Sequence, residues 1–454
     1  MRILNTILFL FIFQSVISQN QYPFKVTVDE HPNSKIILSE IYGEKFHPVD
    51  TIYTDEDGVA SYHFNDNSST GMYRMFLERN SFADFIFNKE EIELLTEFDH
   101  PMDSLQVLNS TENKLYYEFL RADQQLQLKL ELLNPLTTYY PKEDNLYASI
   151  ADKFDKVQSE RDSIITGIMN DYPKSFVAEV VSFMRSPIIP SDLSEGEKMR
   201  YMQVHYFDKV NFSNPDILHT DILPTRLITY LSLFSNRAFN QQQLESAFKG
   251  AIDMLMTRPF ENQLVKEFVI EYLVGGFEKY GFENVILHIA ENYKDETACE
   301  NEERKSDLQT RLENYKKLAV GKTAPDISIP NEKGTTIKLS EIESEYIMLI
   351  FWASWCPHCV EWMPQIKDLY DNQKKKKMEV MSISLDKDET EWKKYLNEQN
   401  FTWHNCSELK SWNSKVALDY NIYATPTMIV VDKNRTIVSK PLTMQQIQQE
   451  FNRN

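Results

Sequence analysis

Residues 346–359 read YIMLIFWASWCPHC, and this stretch decides the fold of the segment around it. Its first seven residues form an apolar run of strand length, and the apolar spacing becomes helical after Cys356 and Cys359. The pattern therefore predicts a buried strand that delivers two cysteines to the first turn of a helix.

That placement favours thiol chemistry, because the thiolate is the reactive form of cysteine. The N-terminal end of a helix carries unsatisfied N–H groups and a partial positive charge, so we expect a lowered pKa for Cys356. Cys359 lies one turn further on nearly the same face, close enough to attack a mixed disulfide at Cys356. Pro357 suits a first helical turn, and His358 can add a positive charge beside the thiolate.

A zinc site is the alternative reading of two cysteines at this spacing. A structural zinc site needs a second pair of ligands at short spacing, and the other two cysteines, Cys299 and Cys406, stand alone. We therefore expect a redox pair and no metal. A third redox position at Cys406 or Cys299 is the alternative to two unrelated thiols.

The composition is that of a globular protein. A chain of 454 residues predicts two to four domains, and four cysteines do not make a disulfide scaffold. The net charge of −20 argues against binding to nucleic acid or to an anionic membrane surface.

Residues 1–18 resemble a secretory signal peptide. Arg2 supplies the positive start, residues 7–13 are continuously apolar, and we expect cleavage after Ser18. The apolar run is short for a transmembrane helix, which favours a cleaved signal peptide. The alternative is an uncleaved membrane anchor, which would keep the protein near the membrane. Export would place the cysteines where disulfides persist.

Residues 19–110 predict a small β domain, most simply a sandwich, with no cluster of residues that suggests a site. The expected strands alternate in polarity and lie between turn residues. They are residues 25–28, 35–38, 60–64, 73–77, 85–87 and 92–95.

Residues 111–319 change to helical spacing and predict an all-α domain. Prolines at positions such as 135, 141 and 173 are expected to divide it into several helices. A helical region without visible chemistry is most simply a docking or spacer domain.

Residues 320–454 predict an α/β domain with a mixed central sheet flanked by helices. The expected strands are residues 346–352, 378–385, 428–431 and 436–439, and the expected helices are 356–372, 389–400 and 447–451.

This last domain resembles the thioredoxin-fold domain of the TlpA type, the exported thiol:disulfide oxidoreductases of bacteria. The motifs that carry the resemblance stand in the family's order. They are AP at 324–325, FWASWCPHC at 351–359, Pro364, ISLD at 383–386 and ATPT at 424–427. The upstream β and helical domains are similar, more loosely, to the N-terminal extensions of such proteins.

The resemblance implies a cis peptide bond between Thr425 and Pro426, packed against the cysteines. It also implies that Trp355, Thr425 and Pro426 contact an extended substrate chain. Cys356 and Cys359 are the catalytic pair in this interpretation, and no metal or organic cofactor is expected.

Two positions depart from the related patterns. The buried Asp that thioredoxin has six residues before its first cysteine is replaced here by Ile350. The Glu that many TlpA-type domains have three residues after the second cysteine is replaced by Trp362, and Glu361 lies about 100° further round the helix. Water or a group outside the motif is then left to take the proton from Cys359.

The predicted function is dithiol–disulfide exchange in the periplasm, with protein disulfides and a redox partner protein as partners. The resemblance favours a reductase, whereas the Pro-His pair between the cysteines is also that of DsbA, a strong oxidant. The alternatives are an oxidase, a binding protein that uses the thioredoxin domain as a scaffold, and a peroxidase. The Pro-x-x-x-Thr-x-x-Cys setting of peroxiredoxins is absent from the sequence.

Overall fold

The computed structural model describes residues 20–78, 81–293, 307–373 and 377–452. The predicted signal peptide and Cys299 lie outside the described residues. The chain divides into two compact units between Val269 and Ile270. The predicted domain limits at residues 110 and 319 stay predictions.

The first unit begins with strands, as the alternating sequence predicts. The described strands are β1 Gln21–Asp29, β2 Lys35–Tyr42, β3 Lys45–Tyr53, β4 Val59–Asn65, β5 Gly71–Glu78, β6 Ser81–Phe87, β7 Ile92–Glu97 and β8 Gln106–Asn109, with a short helix, α1 Pro101–Ser104, before β8. They form two four-stranded sheets, of order β4-β1-β7-β8 and β3-β2-β5-β6. Both sheets contribute side chains to one hydrophobic core. The sandwich arrangement stays a prediction.

Two of these strands do not appear among the sequence predictions. Strand β3 lies at the edge of its sheet and is exposed along nearly its whole length, so its sequence shows no alternating apolar pattern. Strand β8 is only four residues long and mostly exposed. Strands β3 and β8 both form by pairing with a neighbouring strand, and such pairing is not visible in a single sequence.

The predicted change to helices after residue 110 is confirmed. The described helices are α2 Thr111–Tyr139, α3 Asn145–Asp171, α4 Phe176–Phe183, α5 Glu195–His205, α6 Ile222–Ser232, α7 Gln241–Met256, α8 Gln263–Lys279, α9 Glu283–Asn292 and α10 Asp307–Lys317. The prediction that Pro135 ends a helix is wrong, since it lies inside α2. Pro135 is about one turn from the end of α2, where the loss of a helical hydrogen bond costs least.

The second unit contains the predicted mixed sheet, of order β13-β12-β11-β14-β15. Its strands are β11 Tyr346–Trp352, β12 Met378–Ser384, β13 His404–Ser407, β14 Thr427–Asp432 and β15 Ile437–Ser439, and a hairpin of β9 Ser328–Pro330 and β10 Thr336–Lys338 precedes them. Its helices are α11 Pro357–Asp371, α12 Glu389–Gln399, α13 Lys415–Asp419 and α14 Met444–Phe451.

Strand β11 is central because it pairs with β12 in parallel and with β14 antiparallel. Both faces of this strand are buried, which explains its continuous apolar sequence. Strand β13 was missed because its four residues, HNCS, carry no apolar pattern although three of them are buried. The sheet places the end of β11 and the start of β14 side by side.

Candidate functional site

The two cysteines lie where the chain passes from β11 into α11. The helix begins at Pro357, and Cys356 is its N-cap residue. The backbone N–H of Cys359 donates to the Cys356 sulfur at 3.4 Å. The sulfur of Cys356 therefore takes the position that a capping oxygen usually fills, directed at the open N–H groups of the first turn.

The surroundings of Cys356 favour its thiolate. Partial burial opposes ionisation, but hydrogen bonds from Cys359 and Thr425 and from the backbone N–H groups of Cys359 and His358 outweigh it. The pKa of Cys356 is therefore lower than that of an ordinary cysteine. A lowered pKa increases the fraction of thiolate at neutral pH.

Cys359 has the opposite character. It is fully buried, and burial together with its hydrogen bond to Cys356 raises the pKa of Cys359 to about 12. The two thiols are thus neighbours with pKa values shifted in opposite directions. Such a pair provides one sulfur that ionises readily and a second that keeps its proton until the first has reacted.

A proline loop lies against the exposed side of this pair. The peptide bond between Thr425 and Pro426 is cis, as the family resemblance implies. The Cys356 thiol donates to the carbonyl oxygen of Thr425 at 3.4 Å. Thr425 and Pro426 are both partly exposed, so a chain that reaches the Cys356 sulfur meets this loop as well.

The remaining predicted site residues surround Cys356 at the surface. Pro357 occupies the first position of α11, as predicted for a proline at a helix start. The side chain of His358 is exposed. His358 contributes to the lowered pKa of Cys356 through its own backbone N–H. Trp355 is 55% exposed although it is a large apolar side chain.

Trp412 was missed by the sequence analysis. Its ring meets that of Trp355 edge-on, at 6.3 Å between centroids, and it is 37% exposed. The two tryptophans together form an apolar surface next to the nucleophile. Trp412 lies 56 residues after Cys356 in a short 3-10 helix, Ser411–Asn413, and no local pattern in the sequence indicates that pairing.

Asp386 was also missed as a site residue, although the family motif at 383–386 contains it. This buried carboxylate accepts hydrogen bonds from the Ser354 hydroxyl at 2.6 Å and from the Ser354 N–H at 3.1 Å. The Ser384 hydroxyl donates at 2.6 Å to Oδ2, the oxygen that also accepts from the Ser354 N–H. Asp386 therefore fixes the backbone two residues before Cys356. The available signal was the position of this acidic residue two residues after the end of a buried strand, within the family motif.

The structure accommodates the residues at both positions that depart from the related patterns. Ile350 is fully buried in the core of the unit, and Trp362 packs against that core. Glu361 is exposed. None of these residues places a carboxylate beside Cys359.

Cys406 lies in β13 and is fully buried. Burial raises the pKa of Cys406 to about 12, which makes this thiol unreactive at neutral pH. Within the described ranges, no three residues of the types His, Cys, Asp and Glu are grouped so that they could hold a metal ion. No helix in the described part of the chain is long and apolar enough to cross a membrane.

Comparison with known proteins assigns the domain around these cysteines. The family model AhpC/TSA matches residues 320–440. The thiol-disulfide oxidoreductase ResA of Oceanobacillus iheyensis is 31% identical over 140 residues, which are 29% of this chain and 71% of that protein. ResA of Bacillus cereus is 26% identical over 124 residues, which are 27% of this chain and 70% of that protein.

Solved structures also match a part of the chain. The C-terminal domain of a putative thiol-disulfide oxidoreductase from Bacteroides thetaiotaomicron is 28% identical, with a TM-score of 0.29, and the match covers 30% of this chain and 95% of that one. The ResA relatives and the geometry of the cysteine pair lead to one assignment. Through its C-terminal domain, this chain belongs to the TlpA-type family of thioredoxin-fold thiol-disulfide oxidoreductases.

Proposed function

We propose that Cys356 is the nucleophile and Cys359 the resolving thiol of an exchange reaction that reduces disulfides in exported proteins. One observation carries the proposal. Cys356 is ionisable, caps α11 and keeps 6% of its surface exposed, whereas its neighbour Cys359 is fully buried and protonated.

The reaction has two steps. The Cys356 thiolate attacks one sulfur of a substrate disulfide, a new S–S bond forms between enzyme and substrate, and the second substrate sulfur leaves as a thiolate that takes a proton. Cys359 then loses its proton and attacks the Cys356 sulfur. The mixed disulfide breaks, the substrate leaves with two thiols, and the enzyme pair is oxidised to a disulfide.

Trapping tests this order. In a Cys359→Ala variant the second step is impossible, so substrate proteins are expected to stay covalently attached to Cys356 and to be released by dithiothreitol. Cys406→Ala is the matched control, because it removes a buried thiol outside the pair and should trap nothing. Disulfide reduction by a Cys356→Ser variant at the wild-type rate would disprove the assignment of the nucleophile. A model disulfide left untouched by the reduced wild-type protein would favour a scaffold role instead.

The reducing direction is supported by the resemblance to TlpA-type proteins, which usually act as reductants. A stabilised Cys356 thiolate shifts the couple toward the oxidising side, because it favours the reduced enzyme. We therefore expect a midpoint between those of thioredoxin, about −270 mV, and DsbA, about −120 mV. Equilibration in glutathione buffers, followed by the fluorescence of Trp355, measures it. A midpoint at the DsbA end would identify an oxidase instead.

Export is supported by the signal-like sequence at residues 1–18. In this proposal the mature protein works in the periplasm, and a separate redox partner protein reduces it again. Mass spectrometry of the protein recovered from a periplasmic extract should find Gln19 at its N-terminus. An intact N-terminus in the membrane fraction would identify the anchored form, and an intact N-terminus in the cytoplasm would exclude export.

A further inference from the structure

The proline loop that carries Thr425 is contacted by a helix from outside the predicted thioredoxin domain. The Tyr315 hydroxyl, on α10, donates to the Tyr423 hydroxyl at 3.1 Å. Tyr423 stands two residues before Thr425 in the chain. A helical residue is thereby linked to the loop against which the Cys356 sulfur lies.

The two tyrosines differ in their surroundings. Tyr315 is 7% exposed, whereas Tyr423 is 57% exposed. Burial, Tyr423 and the Glu278 carboxylate raise the pKa of Tyr315, so its hydroxyl stays protonated and remains a donor. The buried side chain of Tyr315 is therefore the fixed partner, and it holds the exposed side chain of Tyr423 in place.

Tyr315 is itself held by a small helical arm, which we define as residues 270–293 and 307–317. Arg311 and Glu278 join α10 to α8 through an ion pair at 2.6 Å. The arm contacts the rest of the unit at a second place, where Lys440 and Glu283 pair at 2.7 Å. The position of Tyr315 is therefore set by the arm.

The loop has few other restraints in its own sequence. It leaves α13 with Asn421 in the left-handed region, and the Ile422 N–H donates to the Ala417 carbonyl at 2.8 Å. At its other end the Thr427 hydroxyl donates to the Ala424 carbonyl at 2.8 Å. Between these two bonds, the Tyr423 hydroxyl accepts the hydrogen bond from Tyr315.

We propose that Tyr315 is a positioning residue for the exchange reaction: by holding Tyr423 it fixes the carbonyl and side chain of Thr425 beside the Cys356 sulfur. This inference rests on the proposed role of Cys356. It gives the helical arm a part in the reaction, because a change in the arm would reach the nucleophile through one hydrogen bond.

Tyr315→Phe, made in the full chain, removes this hydrogen bond and keeps the ring. We expect exchange with a peptide disulfide to slow by about three- to tenfold, the worth of one hydrogen bond. The pH midpoint for alkylation of Cys356 should also move away from the wild-type value, because the Thr425 carbonyl that accepts from the Cys356 thiol is less well placed. A packing role alone would lower thermal stability and leave this midpoint unchanged.

Two control variants distinguish loss of the Tyr315–Tyr423 hydrogen bond from a general effect of changing the arm. Tyr280→Phe removes the hydroxyl of a tyrosine on the same arm that is 68% exposed, and Lys440→Gln breaks another polar contact of the arm, the pair with Glu283. Both should keep the wild-type alkylation midpoint. If Tyr315→Phe does not fold, Tyr423→Phe removes the same bond from its exposed side. A non-additive double variant would confirm the coupling.

Wild-type rates and midpoints in both Tyr315→Phe and Tyr423→Phe would overturn this inference and leave the proposed function intact. A wild-type chain that reduces no disulfide would instead overturn the proposed function.

Discussion

At the scale of residues, the chemistry of the site depends on the different surroundings of two adjacent thiols. Cys356 receives hydrogen bonds at the start of α11 and has a lowered pKa, whereas burial keeps Cys359 protonated. The difference comes from three residues of separation on one helix. The first sulfur caps the helix, and the second points into the core.

Asp386→Asn tests whether the loop before Cys356 must be held. An amide offers one acceptor oxygen where the carboxylate uses both, and its NH2 group would face the donors of Ser354 or Ser384. We expect the free energy of unfolding to fall by about 1–3 kcal/mol and the alkylation of Cys356 to slow. Urea denaturation and mass-spectrometric mapping measure the two effects.

Ser384→Ala is the control for this variant, because it removes the hydroxyl that donates to the Asp386 carboxylate and accepts from the Asp386 N–H, and leaves the hydrogen bonds from Ser354. It should lower stability and change the alkylation rate less. Alkylation of the Asp386→Asn protein at the wild-type rate would show that the loop is held by other contacts.

Single residues were predictable where their role is local. The placement of Pro357 and the helix start at the cysteines followed from the sequence around them. Trp412, Asp386 and Tyr315 were not recognised, because each reaches the site from a segment that is distant in the sequence.

At the scale of elements, the connection between α8 and α9 is fitted closely to the thioredoxin-like part of its unit. Gly281 has a left-handed backbone, with φ of 71°, and a Cβ at this position would collide with the side chain of Leu442. The left-handed backbone favours glycine here, and the end of the Leu442 side chain would have to shift to admit a Cβ.

Gly281→Ala is expected to lower the free energy of unfolding by about 1–3 kcal/mol, from backbone strain and the clash with Leu442. Gly276→Ala is the matched control, because a Cβ there meets open space inside α8, where alanine is the better helix former. It should be neutral or stabilising. Equal denaturation midpoints for Gly281→Ala and the wild type would contradict the account of this connection.

Elements were predictable where their own sequence carries the pattern of burial. Strand β11 is buried on both faces and reads as one apolar run, so its length and position were correct. Strands β3 and β13 depend on pairing with a neighbour, and neither has an apolar pattern of its own.

At the scale of the whole molecule, the stability of the acidic chain depends on how its carboxylates are paired. In the first unit, Asp162 on α3 accepts two hydrogen bonds from Arg185, at 2.8 and 3.0 Å, and two from Lys209, at 3.1 and 3.2 Å. Burial opposes ionisation of Asp162, but these cations outweigh it and lower its pKa.

The pH dependence of Asp162→Asn follows from the direction of that shift. Because the pKa of Asp162 is lower in the folded chain, its ionised form stabilises the fold above the unfolded pKa of about 3.9, and this stabilisation is lost as the pH falls through the folded pKa. Asp162→Asn should therefore cost about 1–3 kcal/mol at pH 7 and progressively less below pH 4.

Chemical denaturation at several pH values measures this cost. Asp152→Asn, which removes an exposed pair with Lys156 on the same helix, should cost little at any pH. An Asp162→Asn cost that does not change between pH 7 and pH 3 would contradict the assigned ionisation.

The rate of alkylation of each cysteine as a function of pH, mapped by mass spectrometry in the reduced wild-type protein, tests the central claim most directly. Cys356 is predicted to react faster than free cysteine at pH 6, with a midpoint below the ordinary thiol pKa of about 8.5, while Cys359 and Cys406 stay unmodified. A Cys356 that reacts no faster than free cysteine at pH 6, or a Cys359 that is modified first, would contradict it.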